Sequence, residues 1–118
     1  ALVARHFGAP SVHIGEVNAL RRRTIERTEG FPVYAPGEPG EPLPNSVDLV
    51  IDAVGATATR AAASVLVRPG GVIVHVGLLP GQDGLDLRKI TLQEITVTGA
   101  YCYTPIDFCH TVNALAHG

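Results

Sequence analysis

The sequence predicts an α/β protein built around a parallel β-sheet. The first observation is a short, almost wholly apolar and β-branched run, VDLVIDAVG at residues 47–55, which suits a strand buried on both faces. The second is the helix-like segment that follows it, ATATRAAASVLVRP. The third is another apolar run, GGVIVHVG at residues 70–77. Strand, helix and strand within about thirty residues form one right-handed βαβ unit with parallel strands.

The helix inside this unit is predicted to lie on the sheet through a stripe of small and apolar residues. The stripe repeats at i, i+3, i+4, i+7 and i+8 and consists of Ala58, Ala61, Ala62, Val65 and Leu66. Thr57 is placed to cap the start of the helix, and the Pro-Gly-Gly sequence at 69–71 is expected to stop it. The second strand then runs from Val72 to Val76 and ends at Gly77.

The segments before this unit alternate between helix and strand signals. Residues 1–8 read as the last turns of a helix ended by Gly8, and residues 11–16 as a short strand ending in an acid. Asn18 is expected to cap a helix over residues 19–29 that Gly30 closes. A brief strand at 31–34 precedes a loop rich in proline and glycine, which surface crossovers favour.

Downstream, residues 85–90 suggest a strand or extended edge, and residues 91–94 one helical turn. Residues 95–101 alternate β-branched side chains and predict the last strand. A final helix is expected to be capped by Thr104, with Pro105 at its first position. Its apolar stripe consists of Phe108, Val112, Leu115 and Ala116.

The composition argues against a nucleic-acid-binding protein and against a membrane-spanning protein. The chain has 118 residues, enough for one domain with a core, and a formal net charge of −2, which argues against nucleic acid as a partner. No apolar run approaches the roughly 20 residues that span a bilayer. The start of the sequence has no signal-peptide pattern, and two cysteines fit a reducing compartment, so a cytoplasmic location is expected.

Three segments resemble the cofactor domain of the medium-chain, zinc-type alcohol dehydrogenases, most closely their sorbitol and threonine dehydrogenase branch. They are VDLVIDAVG (47–55), LVRPGGVIVHVGL (66–78) and LQEITVTGAYCYTPIDF (92–108). The resemblance implies a Rossmann-like doubly wound parallel sheet whose first strand and glycine-rich turn would precede Ala1. Residues 1–118 are therefore expected to be a partial dinucleotide-binding domain, without the catalytic domain and inactive in isolation.

The resemblance also implies a function. The parent enzyme would transfer hydride between an alcohol or polyol and NAD, with zinc polarising the alcohol oxygen through ligands that are not in this chain. It would form a homo-oligomer through the sheet edge near residues 85–101. Two alternatives stay open: a non-catalytic dimerisation or interaction module, and a zinc-free, quinone-reductase-like member of the same superfamily.

Glu16 is the first candidate site residue. An acid at the end of the second strand of such a domain accepts hydrogen bonds from both ribose hydroxyls of NAD and repels the 2′-phosphate of NADP. The competing interpretation is a solvated acid at a strand end. By resemblance, Arg21 matches a family position whose cation lies near the adenine ribose, although a surface arginine is nearly as good an interpretation.

The strand ends supply the other candidates, because ligands of open parallel sheets sit beyond the carboxyl ends of the strands. By resemblance, three segments surround the nicotinamide ring and its ribose, where backbone N–H and C=O groups can bond the carboxamide. The cofactor-binding residues expected there are Ala53, Val54, Gly55, Val76, Gly77, Leu78, Ala100 and Cys102.

Other polar residues receive structural interpretations. Asp52 precedes the strand end and could orient loops, without a catalytic role. His75 lies within an apolar strand and is expected to be a satisfied core histidine. Cys102 and Cys109 match no common zinc spacing and are expected to serve in packing. The remaining histidines are expected at the surface, and no metal site is expected in the chain.

Overall fold

The computed structural model describes residues 1–117, apart from the side chains of Thr28 and Glu29. The helices and strands follow in chain order: α1 (Leu2–His6), β1 (Ile14–Gly15), α2 (Ala19–Glu29), β2 (Val33–Tyr34), β3 (Val47–Asp52), α3 (Thr57–Leu66), β4 (Val67–His75), α4 (Leu87–Leu92), β5 (Thr96–Gly99) and α5 (Pro105–His117). They form two compact units. The first comprises Ala1–Glu41 together with the segment that begins at Tyr103, and the second comprises Pro42–Cys102.

The second unit contains a three-stranded parallel sheet in the order β3-β4-β5. Helix α3 connects the first pair of strands and α4 the second, so each connection is a βαβ crossover, which parallel pairing requires. The register places Ile73 of β4 between Val50 of β3 and Val97 of β5. The α/β class and the parallel sheet predicted from the sequence are confirmed.

The core of this unit lies on one face of the sheet. Ala63 from α3, Val67 and Ile73 from β4, and Ile95 form its buried cluster, and Val50, Leu85 and Ile90 pack against it. Ile73 is only 1% exposed, and full burial of such a side chain contributes about 1.5–3 kcal/mol. Both crossover helices therefore cover the face that carries Val50 and Ile73.

The opposite face of the sheet is open in the described residues, and the prediction that residues 47–54 are buried on both faces is wrong. Leu49 and Ile51 point away from the core because side chains alternate along a strand. They are 47% and 51% exposed. Within residues 1–117, β3 also pairs with β4 alone, so its other edge has no strand partner.

The buried face of α3 differs from the predicted stripe. Its buried residues are Arg60, Ala63, Ser64 and Leu66. Of the predicted stripe only Leu66 is buried, and Ala58, Ala61 and Val65 are exposed. Alanines lie on more than one side of this helix, so the sequence fits two stripes at helical spacing, and the stripe with Arg60 and Ser64 is the one that faces inward. The inward face of α3 predicted from periodicity alone is therefore wrong.

Both ends of α3 also differ from expectation. Its N-cap is Ala56 rather than Thr57, and the Ala56 N–H donates to the Thr59 hydroxyl at 2.9 Å. Its last residue is Leu66, and β4 begins at once and contains the Pro-Gly-Gly sequence. The glycines there allow an irregular strand, since the register with β3 shifts between Val47 and Leu49.

Residues 85–90 are not a strand. They contribute to α4, which Asp86 caps by accepting from the Lys89 N–H at 2.9 Å. The Lys89 ammonium reaches the other way and donates to the carbonyls of Ser64 and, at 3.2 Å, Val65. The side chain therefore ties α4 to the C-terminal end of α3, a long-range contact that local sequence patterns do not report.

The first unit contains a two-stranded parallel sheet, β1-β2. The Asn18 side chain caps α2 by accepting from the N–H groups of Leu20 and Arg21, and Gly30 ends the helix with φ +64°, as predicted. Strand β1 is shorter than expected and stops one residue before Glu16. No helix within residues 1–117 has both the length and the apolar character needed to cross a membrane.

Helix α5 begins as predicted, with Thr104 and Asp107 capping each other. The Thr104 N–H and hydroxyl donate to the Asp107 carboxylate at 2.9 and 2.7 Å, and the Asp107 N–H donates back at 3.2 Å. These hydrogen bonds hold the pKa of Asp107 below its ordinary value. The apolar stripe of this helix is uncovered in the described structure: Phe108, Val112 and Leu115 are all exposed.

Candidate functional site

The carboxyl ends of β3 and β4 are joined at Asp52. Its backbone carbonyl accepts from the N–H groups of both Val76 and Gly77, at 2.9 and 3.0 Å. These bonds bring residues 53–55 and 76–78 side by side, as parallel strands require. The third expected segment is linked through His75, whose carbonyl accepts from the Ala100 N–H at 3.0 Å. The structure therefore brings together all three strand-end segments selected from the sequence.

Gly55 and Gly77 allow two backbones to touch at this point. Gly55 has φ +76°, and a Cβ on it would overlap the Gly77 carbonyl group. A Cβ on Gly77 would in turn overlap the Val54 carbonyl and the Gly55 nitrogen. Because the obstacle is backbone in both directions, no side-chain rotation could relieve it. The glycines predicted at both strand ends are thus needed for close approach.

The residues exposed at this edge are the neighbours of the glycines. Gly55 and Gly77 are buried, whereas the other strand-end candidates are exposed. The exposed ones are Ala53, Val54, Val76, Leu78, Ala100 and Cys102. Among the described residues the Val54 carbonyl and the Leu78 N–H make no hydrogen bond. These two groups are therefore the backbone acceptor and donor at this edge that lack a partner among the described residues.

The Asp52 carboxylate organises the turn that follows β3. The side chain is 4% exposed and accepts from the N–H groups of Val54 and Gly55, at 3.0 and 2.8 Å, and from the Thr59 hydroxyl at 3.0 Å. Burial raises the pKa of Asp52, but these hydrogen bonds, together with the nearby His75, outweigh burial and hold the pKa below its ordinary value of 3.8. The loop-orienting role inferred for Asp52 agrees with these contacts.

His75 lies beside Asp52 but is not the satisfied core histidine expected from the sequence. Its Nε2 is 3.7 Å from the Asp52 carboxylate, and among the described atoms this nitrogen is buried without a hydrogen-bond partner. The side chain is 28% exposed. Register explains the position, since His75 lies directly opposite Asp52 in the sheet.

Arg60 is a residue of this site that the sequence reasoning missed. It is 5% exposed, and its guanidinium donates to the carbonyls of Gly55 and Asp83, each at 2.5 Å, and to the Thr57 hydroxyl at 3.4 Å. The signal was present as a spacing: Arg60, Ala63, Ser64 and Val67 also repeat at i, i+3, i+4 and i+7. This series places an arginine on the inner face of the helix.

In the first unit, Glu16 follows β1 and is held by the turn that begins α2. Its carboxylate accepts from the Asn18 N–H at 2.8 Å and lies 3.6 Å from the Arg21 guanidinium. The Arg22 guanidinium donates to the carbonyls of Glu16 and Val17, at 2.7 and 2.8 Å. Glu16 and Arg21 are thus paired, and Arg22 is a further positioning group that the sequence reasoning did not select.

The two cysteines do not serve in packing as predicted. Cys102 and Cys109 are both free and exposed. Cys102 has φ +57°, an uncommon conformation for a residue with a side chain, so the chain turns sharply where it leaves β5. Among residues 1–117, no group of three or more His, Cys, Asp and Glu side chains is placed to bind a metal ion.

A cleft of about 460 Å³ lies elsewhere in the second unit. It is bordered by residues at the C-terminal end of α3 and by α4, including Ser64, Lys89 and Gln93. It is open, and none of the strand-end candidates lines it. We therefore place the candidate site at the carboxyl ends of the strands, where ligands of parallel sheets bind.

Comparison with known proteins finds a family model and relatives that match most of this chain. A family model described as zinc-binding dehydrogenase matches residues 1–117. The D-xylulose reductase A of Aspergillus oryzae is 27% identical over 127 residues, which cover 98% of this chain and 36% of that protein. The chain thus spans about a third of the length of this relative.

Solved structures show the same fold. A zinc-binding dehydrogenase of Sinorhizobium meliloti, determined with bound NADP, is 27% identical and covers 84% of this chain and 32% of its own, with a TM-score of 0.72. An alcohol dehydrogenase of Escherichia coli CFT073, complexed with NADH, reaches a TM-score of 0.80 at 16% identity and covers 99% of this chain and 36% of its own. At that identity the second likeness concerns the fold alone.

Proposed function

Because the chain belongs to the zinc-binding dehydrogenase family, we propose that it forms part of a dinucleotide-binding domain in an oxidoreductase that transfers hydride between an alcohol or polyol and NAD. The relatives support the reaction class: one is a D-xylulose reductase and another was solved with NADP. The chain spans only about a third of their length, so its own residues support the cofactor half of the proposal. The nicotinamide ring, when bound, supplies the hydride chemistry.

The observation that carries the proposal is the backbone edge formed by residues 53–55 and 76–78. A nicotinamide carboxamide presents both hydrogen-bond donors and an acceptor, and the free Val54 carbonyl and Leu78 N–H complement them. The glycine contact keeps side chains out of the joint between the two segments. This chain would therefore bind and orient the nicotinamide half through backbone groups, which side-chain variation does not change. Ala100 and Cys102 extend the same edge beyond β5 and are proposed to flank the ring and its ribose.

Glu16 is proposed to bind the adenosine ribose. An ionised carboxylate offers about four acceptor positions. The Asn18 N–H occupies one of them, and the Arg21 guanidinium lies 3.6 Å away as an ion-pair partner. Acceptor positions therefore remain for the two ribose hydroxyls of NAD. A 2′-phosphate would instead meet a negative charge, which disfavours NADP. We assign NAD rather than NADP on this local chemistry, although the Sinorhizobium relative was solved with NADP.

The described residues, 1–117, do not fit a zinc site. Among residues 1–117 the His, Cys, Asp and Glu side chains form no group that could hold a metal ion. The proposed part of this chain is limited to binding the two halves of the cofactor and setting the position of the nicotinamide ring.

Calorimetry with NADH, NADPH and ADP-ribose tests this proposal. We expect NADH to bind more tightly than NADPH, and Glu16→Ser to reduce that preference. Glu26→Gln is the matched control, because Glu26 is an exposed acid on α2 and should leave the preference unchanged. Equal affinities for the two cofactors in the unaltered protein would contradict the role of Glu16. Absence of binding by all three ligands would contradict the proposed function itself.

A further inference from the structure

Two buried charged side chains hold the two ends of the Gly55 residue. The Asp52 carboxylate accepts from the Gly55 N–H at 2.8 Å, and the Arg60 guanidinium donates to the Gly55 carbonyl at 2.5 Å. They are 4% and 5% exposed, respectively. Both backbone groups of Gly55 are therefore committed within the protein, and the orientation of this residue at the strand end is fixed from both sides.

Burying the Arg60 guanidinium at this turn costs more free energy than a turn held by neutral side chains would cost. Arg60 has two carbonyls and the Thr57 hydroxyl as partners, and it forms no ion pair with a carboxylate among the described residues. Burying a guanidinium against neutral partners carries a desolvation penalty that carbonyl dipoles offset only in part. A neutral side chain such as serine or asparagine could satisfy a turn at lower cost. The cost indicates that geometry at this turn matters beyond folding.

Arg60 also connects the turn to the loop that follows β4. Its Nε donates to the Asp83 carbonyl at 2.5 Å, and the loop folds closely around it. A Cβ on Gly81 would lie 3.1 Å from the Arg60 Nη2, and one on Gly84 would lie 3.0 Å from the Arg60 Cβ and overlap the Thr57 carbonyl. Leu78 stands at the start of this loop. One guanidinium thus holds two loops, and each contains a backbone group that is proposed to bind the nicotinamide half.

We propose that Asp52 and Arg60 are positioning residues, which fix the Gly55 turn and the loop after β4 so that their backbone groups meet the nicotinamide half of the cofactor. This inference rests on the proposed function. Neither side chain would touch the cofactor. Their effect should therefore appear in the nicotinamide half of the binding energy and not in the adenosine half.

The test compares NADH with ADP-ribose, which lacks the nicotinamide. Asp52→Asn and Arg60→Met are each expected to weaken NADH binding roughly tenfold, the effect of losing about one hydrogen bond to a charged group. ADP-ribose affinity should stay within about twofold of the unaltered protein. Arg60→Lys, which keeps one cationic donor, should recover part of the loss. The matched controls are Asp48→Asn and Arg68→Gln, which break an exposed ion pair between β3 and β4. Neither control should change the affinity for NADH or for ADP-ribose.

A third variant keeps both buried charges in place. Thr59→Val keeps the volume of the side chain and removes the hydroxyl that donates to Asp52 and accepts from the Ala56 N–H, so a smaller selective loss of NADH affinity is expected. In all variants the ¹⁵N–¹H resonance of Gly55 should shift relative to the controls. Equal losses for NADH and ADP-ribose would mean a general stability role and overturn the inference, as would unchanged NADH binding. If the unaltered protein binds ADP-ribose but not NADH, this inference fails while the Glu16 assignment stands. If it binds neither, the proposed function fails as well.

Discussion

Replacing Gly55 by alanine should destabilise the protein more than the same replacement at Gly70. Both glycines belong to the second unit, and their φ angles are similar, +76° and +70°. They differ in what a new Cβ would meet. At Gly55 it would overlap the carbonyl group of Gly77 and lie 3.0 Å from its Cα, whereas at Gly70 the nearest atom is the tip of Arg68, at 3.7 Å. Comparing the two variants therefore separates the free-energy cost of a positive φ from the cost of packing a Cβ against backbone.

The expected difference follows from two contributions. Both variants hold an L-residue in the left-handed region, which costs about 1–2 kcal/mol. The smaller entropy that alanine has in the unfolded chain affects both equally and cancels. Gly55→Ala adds overpacking, typically about 1–3 kcal/mol, against backbone that no rotamer change can move. The free energies of unfolding should thus differ by at least about 1 kcal/mol, or roughly 4 °C in Tm for a chain of this length.

Urea and thermal unfolding followed by circular dichroism would measure this difference. Gly77→Ala is a useful third variant, because Gly77 does not have a positive φ and should show the packing contribution alone. Equal losses at Gly55 and Gly70 would refute the close approach of residues 54–55 to residue 77. So would an unaffected Gly77→Ala variant, since its Cβ has nowhere to go in the described geometry.

Three further predictions concern charge and exposed surface. Because the pKa of Asp52 is lower in the folded protein than its ordinary 3.8, the unfolded state binds more protons. The stabilisation is therefore complete above about pH 5 and is lost as pH falls below about 4, and urea titrations should show a shallower acid dependence in Asp52→Asn. Lys89→Met should lower the free energy of unfolding by about 1 kcal/mol by removing donors to the end of α3, whereas Arg88→Met, at an exposed position, should change it little. The open edge of β3 and the exposed Leu49 and Ile51 should favour self-association at micromolar concentration, which sedimentation velocity would detect and Ile51→Lys should weaken; a monomer at all concentrations would contradict it.

The sequence was most informative where local chemistry decides the structure. Asn18, Gly30 and the pair Thr104–Asp107 fixed helix ends that the structure reproduces, because a cap needs only a side chain and the next three residues. The apolar runs also located β3, β4 and β5, and with them the strand-end segments of the candidate site. The strand ends at Gly55 and Gly77 were located as well, whereas the contact between these two glycines was not predicted, because it joins segments more than twenty residues apart.

The sequence was least informative where distant contacts decide. Residues 85–90 alternate like a strand, yet they enter a helix that Lys89 ties to carbonyls more than twenty residues away. The residues of α3 fit two stripes at helical spacing, and the stripe that contains Arg60 faces inward because the carbonyls of Gly55 and Asp83 accept from its guanidinium. The prediction that β3 is buried on both sheet faces was wrong for a related reason. An apolar strand does not show which of its faces a helix will cover.

The two roles of Asp52 explain why the strand-end turn can be perturbed without separating the strands. Its backbone carbonyl joins β3 to the residues after β4, through Val76 and Gly77. Its side chain acts on the other side, on the turn at Gly55. A change of side chain leaves the first set of bonds in place, because they belong to the main chain. The joint between the strands and the orientation of the turn are thus held by different atoms of one residue, and Asp52→Asn should alter the second while preserving the first.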